Sequence, residues 1–181
     1  MDKTRPEQQP GFEFRPGEYE SPGMKRMQEA LTERAIELLG IESGRVIDIG
    51  CGTGYSTQVL ADEGFDTVGI DPNEEMVKKA HERKLLCSVG SFENIPFEDR
   101  EFDAAVSISS LQWVTDYKQA AKEVSRVLKY SSHAVFQFYP ETEEDAMKAA
   151  KAFAREGFKT SIAIDNPKNP KKKKTFLVLE R

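Results

Sequence analysis

The sequence predicts an α/β domain: a mostly parallel seven-stranded sheet with helices on both faces and an antiparallel hairpin at its C-terminal edge. Three observations predict it. Strand and helix patterns alternate through five strands, the mark of a parallel sheet. The pattern then closes on two strands with no helix between them. A glycine-rich loop follows the first strand, where such sheets turn into a helix beside a ligand.

The elements follow in order. Residues 1 to 23, rich in Pro, Gly and Glu, read as an irregular arm, and residues 24 to 181 as one domain. From Met24, the apolar positions Met24, Met27, Leu31, Ala35 and Leu38 follow helical spacing until Gly40. Strand one is 45–49; a short helix, 56–63, stops at Gly64; strand two, "DTVGID", is 66–71. The next helix is expected from Pro72, with Asp71 as its cap and Glu74 in its first turn. "LLCSVG", 85–90, is the third strand and "FDAAVSIS", 102–109, the fourth. A helix over 116–128, with Asp116 as cap, carries Tyr117, Ala121, Val124 and Leu128 on one face. "HAVFQFY", 133–139, is the fifth strand, and a helix over 143–156 ends at Gly157. Strands 159–164 and 175–180 flank a lysine-rich turn.

Composition sets the bounds. With 181 residues, 38% of them hydrophobic and 31% charged, the chain has enough length for one soluble core. No apolar run approaches the ~18 residues of a membrane span, and the first twenty residues lack a signal-type apolar stretch, so a cytoplasmic location is expected. The two cysteines, Cys51 and Cys87, form no metal-type pair, and His81 and His133 are the only histidines, so no metal is expected in this chain. A reduced thiol pair is the simpler reading of the cysteines, a disulfide between them the alternative. Charge is unevenly spread. Residues 159 to 181 carry seven basic side chains, among them Lys171, Lys172, Lys173 and Lys174, against Asp165 and Glu180, whereas the whole chain is at −5. A basic end on an acidic body points to a polyanionic partner; a solvated lysine turn is the plain alternative.

The loop "VIDIGCGTGYS", residues 46 to 56, carries the chemistry. Its spacing is D-x-G-x-G-x-G from Asp48, with glycines at 50, 52 and 54. A dinucleotide fingerprint would need its third glycine one place later, and a Walker loop would need Gly-Lys, which is absent. Glycines let the backbone lie against a ligand, and the loop delivers a helix N-terminus with free N–H groups. Asp48 adds a negative charge suited to an ammonium group. A ligand bearing ammonium and carboxylate fits better than a pyrophosphate; the methionyl end of S-adenosylmethionine is such a group. Asp71, 17 residues beyond Gly54, stands at the second strand tip, where an acid accepts hydrogen bonds from ribose hydroxyls. The alternatives are a plain turn at the loop and a helix cap at Asp71.

Taken with "VGID" and "IPFEDREFDAAVS" in the same order, this loop resembles the class I S-adenosylmethionine-dependent methyltransferases, over about residues 30 to 181. The resemblance implies their Rossmann-like fold and cofactor. It assigns Asp48, Gly50, Cys51, Gly52, Gly54, Asp71, Pro72 and Ser107 to cofactor binding. In that family an acid after the third strand bonds the adenine amino group. Here Ser91 stands at that place, with Glu93 as the other candidate and Phe92 placed to cover the adenine face.

The acceptor is read from what the pocket lacks. The Asn/Asp-Pro-Pro-aromatic motif of exocyclic-amine enzymes is replaced by "SISSLQW", neither cysteine is placed as a nucleophile, and no general base is evident. Gln112, Trp113 and Tyr139 offer an aromatic, hydrogen-bonding, neutral pocket, although Trp113 taken alone reads better as a core residue at the start of the helix 116–128. Such a pocket suits a nucleophile with a free lone pair, for example guanine N7. Several segments ("RAIELLGI", "SISSLQW", "AVFQFYPE" and "DNPKNPKKKKTFLVL") together resemble the guanine-N7 methyltransferases of small-subunit ribosomal RNA. That resemblance implies a ribosome-assembly enzyme acting on ribosomal RNA with a small zinc-binding activator subunit. Two departures stand out: a short N-terminal arm and Ser91 in place of the acid. A small-molecule methyltransferase of the same fold and a mainly structural assembly factor are the other readings. The third strand, 85–90, should lie at an open sheet edge. It is apolar and unguarded by lysine or proline, and so is suited to pairing with the activator or to cover by the arm.

Overall fold

In the computed structural model, residues 20–166, 168–169 and 173–181 are described. The first helix, α1, spans Pro22–Leu39, two residues earlier than its apolar pattern suggests. Ser21 supplies the reason: its side chain accepts the Met24 N–H, and Pro22 needs no N–H partner at the first helical position. Gly40 closes the helix at φ 68°. The elements that follow are β1 (Arg45–Ile49), α2 (Tyr55–Asp62), β2 (Asp66–Asp71), α3 (Glu74–Glu82), β3 (Cys87–Val89) and β4 (Phe102–Ile108). Beyond a single turn of 3₁₀ helix at Leu111–Trp113 come α4 (Tyr117–Val127), β5 (Leu128–Phe138), α5 (Glu143–Arg155), β6 (Lys159–Asp165) and β7 (Lys174–Glu180).

All seven strands form one sheet in the order β3-β2-β1-β4-β5-β7-β6. The first five are parallel; β7 runs antiparallel to both β5 and β6. The expected architecture, hairpin included, is therefore the observed one. Strand β1 is central, with Ile47 paired beside Val68 on one side and Ala105 on the other. Alternation sends Val46 to a core shared with Leu31, Ala35, Leu39 and Leu60 of α1 and α2. Ile47 and Ile49 go to the opposite core, with Val124 of α4 and Phe153 of α5. Both faces are thus covered, which is why β1 and β4 read as near-continuous apolar runs.

Three local expectations change. Helix α3 is capped by Asn73, whose side chain accepts the N–H groups of Glu75 and Met76, not by Asp71. Asp71 is unavailable because the loops on either side already use it. Strand β5 starts at Leu128, straight from α4, and its pairing with β4 jumps from Phe102↔Leu128 to Ala104↔His133. This bulge, which the period-2 pattern does not show, accounts for the early start. Strand β3 shrinks to three residues at the sheet edge, with the Leu86 carbonyl accepting from Gly69 and the Gly90 N–H donating to Asp71 on either side. Leu86 and Val89 there are 70% and 48% exposed. Among the described residues, no helix is long and apolar enough to cross a membrane.

Candidate functional site

The C-terminal tips of β1, β2, β4 and β5 meet the start of α1 around one cavity of about 330 Å³. The glycine loop forms its floor. Gly50 and Cys51 both donate to the Ile70 carbonyl, at 2.7 and 2.9 Å, and Gly52 donates to Asp71 Oδ2 at 2.9 Å. Asp71 Oδ1 accepts the Asn73 N–H at 2.9 Å. One carboxylate thereby ties the first loop to the second, and burial raises its pKa against the pull of those two N–H groups.

Gly50 sits at φ 80°, and a Cβ there would lie 2.2 Å from Ser110 Oγ. That hydroxyl donates to the Gly50 carbonyl at 3.1 Å, joining the cofactor-side loop to the loop after β4. Gly52, by contrast, faces open space where a Cβ would stand. The backbone is bare on the side that borders the cavity.

Most sequence-predicted residues come together here. Gly50, Cys51, Gly52, Asp71, Pro72, Ser91, Phe92, Glu93, Gln112, Trp113 and Tyr139 all line the cavity. Asp48, Gly54 and Ser107 do not. Asp48 is fully buried beneath the loop, where its Oδ2 accepts the Ser56 and Thr57 hydroxyls at 2.6 and 2.7 Å. It secures the first turn of α2 through that oxygen, while Oδ1 is buried without a hydrogen-bond partner among the described residues. Burial lifts its pKa to about 6, opposed by the two hydroxyls and reinforced by the charge of Asp71. Gly54 faces Leu85 and Ala80 instead of the cavity, and Ser107 is buried inside the sheet.

Beside Asp71, the segment after β3 forms a wall of the cavity. Ser91 Oγ accepts the Glu93 N–H at 3.2 Å in a tight local turn, and Glu93 Oε1 accepts the Thr115 N–H at 3.2 Å. Phe92 is almost wholly buried, edge-on to Phe136 at 5.3 Å, so it supports the core as much as the cavity. Lys171 and Lys172 lie outside the described residues. Lys174 reaches the cavity rim, where its Nζ donates to the Tyr139 hydroxyl at 3.0 Å. The two cysteines are free thiols with sulfurs 3.8 Å apart.

Sequence reasoning missed Met24, Met27 and Gln28 of α1, and also Thr53, Asn73, Met76, Ser109 and Ser110, all of which line the cavity. For α1 the signal was present but ambiguous, since Met24 and Met27 fit a core-facing stripe equally well. "SISSLQW" held Ser109 and Ser110 in plain view, but only folding shows which of its side chains turn inward.

The lining suits S-adenosylmethionine. Its charged side chains are Asp71 and Glu93, with no Lys, Arg or His among the described lining residues. A cationic ligand carrying a ribose is favoured, and a pyrophosphate is not. Thr53 Oγ1 is buried at the floor without a hydrogen-bond partner among the described residues, an unspent donor beside the bare Gly52 backbone.

Comparison with known proteins agrees. A family model described as a methyltransferase domain matches residues 47–136. The chain is 33% identical over 175 residues to an 18S rRNA (guanine-N(7))-methyltransferase of Schizosaccharomyces pombe, covering 87% of this chain and 65% of that protein. It is 34% identical over 172 residues to the 18S rRNA (guanine-N(7))-methyltransferase of Bos taurus, covering 84% and 60%. This chain thus spans somewhat less than two thirds of the length of these relatives. Among solved structures, a SAM-dependent methyltransferase from Aquifex aeolicus superposes with TM-score 0.74 at 18% identity, covering 92% of this chain and 98% of that one. A Haloferax volcanii complex between the Trm112 methyltransferase activator and a methyltransferase gives TM-score 0.72 at 19% identity, covering 94% and 99%. Strand order, cavity chemistry and relatives lead to one conclusion: the chain has the fold of S-adenosylmethionine-dependent methyltransferases, and its residues 47–136 match a methyltransferase domain.

Proposed function

We propose that this chain methylates N7 of a guanine in small-subunit ribosomal RNA. The observation that carries the reading is its likeness to guanine-N7 methyltransferases over most of its length. The pocket chemistry supports it. Guanine N7 carries no proton at neutral pH, so no general base is required. The side chains facing the acceptor region, Gln112, Trp113 and Tyr139, are neutral.

When bound, S-adenosylmethionine supplies an electrophilic methyl on its sulfonium. Asp71, Gly52 and Thr53 hold the cofactor side, with Pro72, Ser91, Phe92 and Glu93 around it. Asp48 and Gly54 act from beneath by shaping the loop. On the acceptor side the Gln112 amide is fixed, its Nε2 donating 2.7 Å to the Ser109 carbonyl and its Oε1 accepting the Tyr139 N–H at 3.4 Å. Trp113 and Tyr139 offer faces for a base, and such stacking contributes on the order of 1–3 kcal/mol. Catalysis is then alignment in a site that excludes water. Lys171 to Lys174 bind RNA phosphate.

The same reading places a small zinc-binding activator along β3, where Leu86 and Val89 lie exposed, and sets the enzyme in ribosome assembly in the nucleolus or cytoplasm. The test is methyl transfer from labelled cofactor to small-subunit ribosomal RNA, with and without co-expressed activator, followed by nucleoside analysis. Labelled 7-methylguanosine is the expected product. Label in another nucleoside, or none in RNA under either condition, overturns the proposal.

A further inference from the structure

Just beyond β4, Ser109 adopts φ 58°, a left-handed conformation that residues with a Cβ rarely take. The geometry is held from one neighbour. The Ser109 N–H donates to the Gln137 carbonyl at 2.9 Å and to its Oε1 at 3.1 Å, and the Ser109 hydroxyl donates to the same Oε1 at 2.9 Å. Gln137 is fully buried in β5, and its Nε2 donates to the Phe138 carbonyl at 3.3 Å. A buried amide with both ends bonded is fixed in place.

From Ser109 the constraint spreads to both sides of the site. Its carbonyl accepts from Gln112, the next hydroxyl, that of Ser110, grips the Gly50 carbonyl, and Trp113 closes the turn by donating to the Ser110 carbonyl at 3.0 Å. The direction taken at Ser109 therefore decides where the acceptor pocket stands relative to the cofactor loop. Strain of this kind persists only where surrounding contacts over-determine it, and it concentrates at functional sites.

We propose that Gln137 is a positioning residue for methyl transfer: its buried amide locks Ser109 in the left-handed turn that aligns Gln112 and Trp113 with the cofactor. This rests on the reading of Gln112, Trp113 and Tyr139 as the acceptor pocket. The cofactor loop keeps its anchors at Ile70 and Asp71 besides the Ser110 contact, so loss of the lock misaligns the acceptor far more than it disturbs cofactor binding.

The experiment compares wild type, Gln137→Met and the double variant Gln137→Met/Ser109→Gly. Methionine keeps the volume of the amide but removes its hydrogen bonds; glycine takes the left-handed conformation without strain. For Gln137→Met, affinity for S-adenosylhomocysteine should stay within about threefold, kcat should fall at least tenfold and KM for RNA change little. Acrylamide quenching of Trp113, the sole tryptophan, should increase. Adding Ser109→Gly should recover at least threefold in kcat and part of the quenching protection. Should Gln137→Met fold poorly, Ser109→Ala removes one bond only and should show a smaller loss, about threefold, in the same direction. Wild-type kcat and quenching in Gln137→Met, or no recovery on adding glycine, overturns the proposal. Quenching needs no RNA, so it decides this inference even if wild type transfers no methyl to RNA and the functional proposal has failed.

Discussion

Two aspartates lie close to the glycine loop and differ in what burial does to each. Asp71 keeps its carboxylate at the cavity while holding Gly52 and Asn73. Removing it deletes a charged partner for the ligand's hydroxyls and frees the loop, so Asp71→Ala should weaken S-adenosylhomocysteine binding by about 1.5–3 kcal/mol, measured by calorimetry. Unchanged affinity would exclude the ribose role. Asp48 is enclosed, and its pKa of about 6 in the fold stands above an ordinary 3.8. The folded chain therefore takes up this proton at a higher pH than the unfolded chain does. Its contribution to stability grows as pH falls from about 6 towards 4 and is absent above 6, where the charge must be buried. Asp48→Asn carries no charge, so it should be more stable than wild type at pH 7–8, by on the order of 2 kcal/mol. The gap should close as pH falls towards 4, followed by urea unfolding across that range. A constant difference would mean that the buried charge is not what sets it.

At the level of elements, the lysine turn and the pocket are joined at one residue. Lys174 begins β7 and its ammonium contacts Tyr139 by hydrogen bond and by lying 5.0 Å over the ring. Changing it alters the pocket as well as the charge. A clean test of phosphate binding therefore changes Lys171, Lys172 and Lys173 to serine and leaves Lys174. RNA affinity should drop for every sequence tried, and the slope of log K against log salt should flatten by roughly two units. Cofactor affinity should stay put. If slope and affinity persist, the run is a solvated turn. Strand β2 carries a second element-level constraint, because a Cβ at Gly69 would lie 2.7 Å from Cys51 Sγ and 2.9 Å from Cys87 Sγ. The two thiols fill the space that glycine leaves and pack β3 against the loop.

Across the molecule, the cavity gathers α1, the glycine loop, the tip of β2, the turn after β3 and the loops after β4 and β5. A ligand there bonds segments far apart in sequence, and binding to the folded state alone stabilises it by mass action. S-adenosylhomocysteine at a hundred times its Kd should add about 2.7 kcal/mol, a rise in Tm of roughly 5–10 °C for a domain of this size. NAD and ATP at the same concentration should give no shift, because the lining offers carboxylates and no described cation to a phosphate. Thermal unfolding followed by fluorescence distinguishes these cases, and a shift with ATP would refute the charge argument.

The sequence by itself determined the architecture and the place of the glycine loop in it. Apolar runs bounded by glycine and proline place β1 and β2 to the residue, and D-x-G-x-G-x-G with Asp71 marks one border of the cavity, because those signals depend on neighbours a few residues away. Tertiary structure decided what depends on distant partners. Asp71 reads locally as a cap, but Gly52, 19 residues earlier in the chain, claims one of its oxygens and leaves the cap to Asn73. Asp48 reads as a charge at the strand tip, but Ser56 and Thr57 fold back onto one of its oxygens and the residue is buried. The bulge in β5 exists only in its register against β4, and the left-handed turn at Ser109 only through Gln137, 28 residues on. Short-range pattern specifies which elements form; long-range hydrogen bonds to buried groups, which no local pattern encodes, specify which side chains face the cavity.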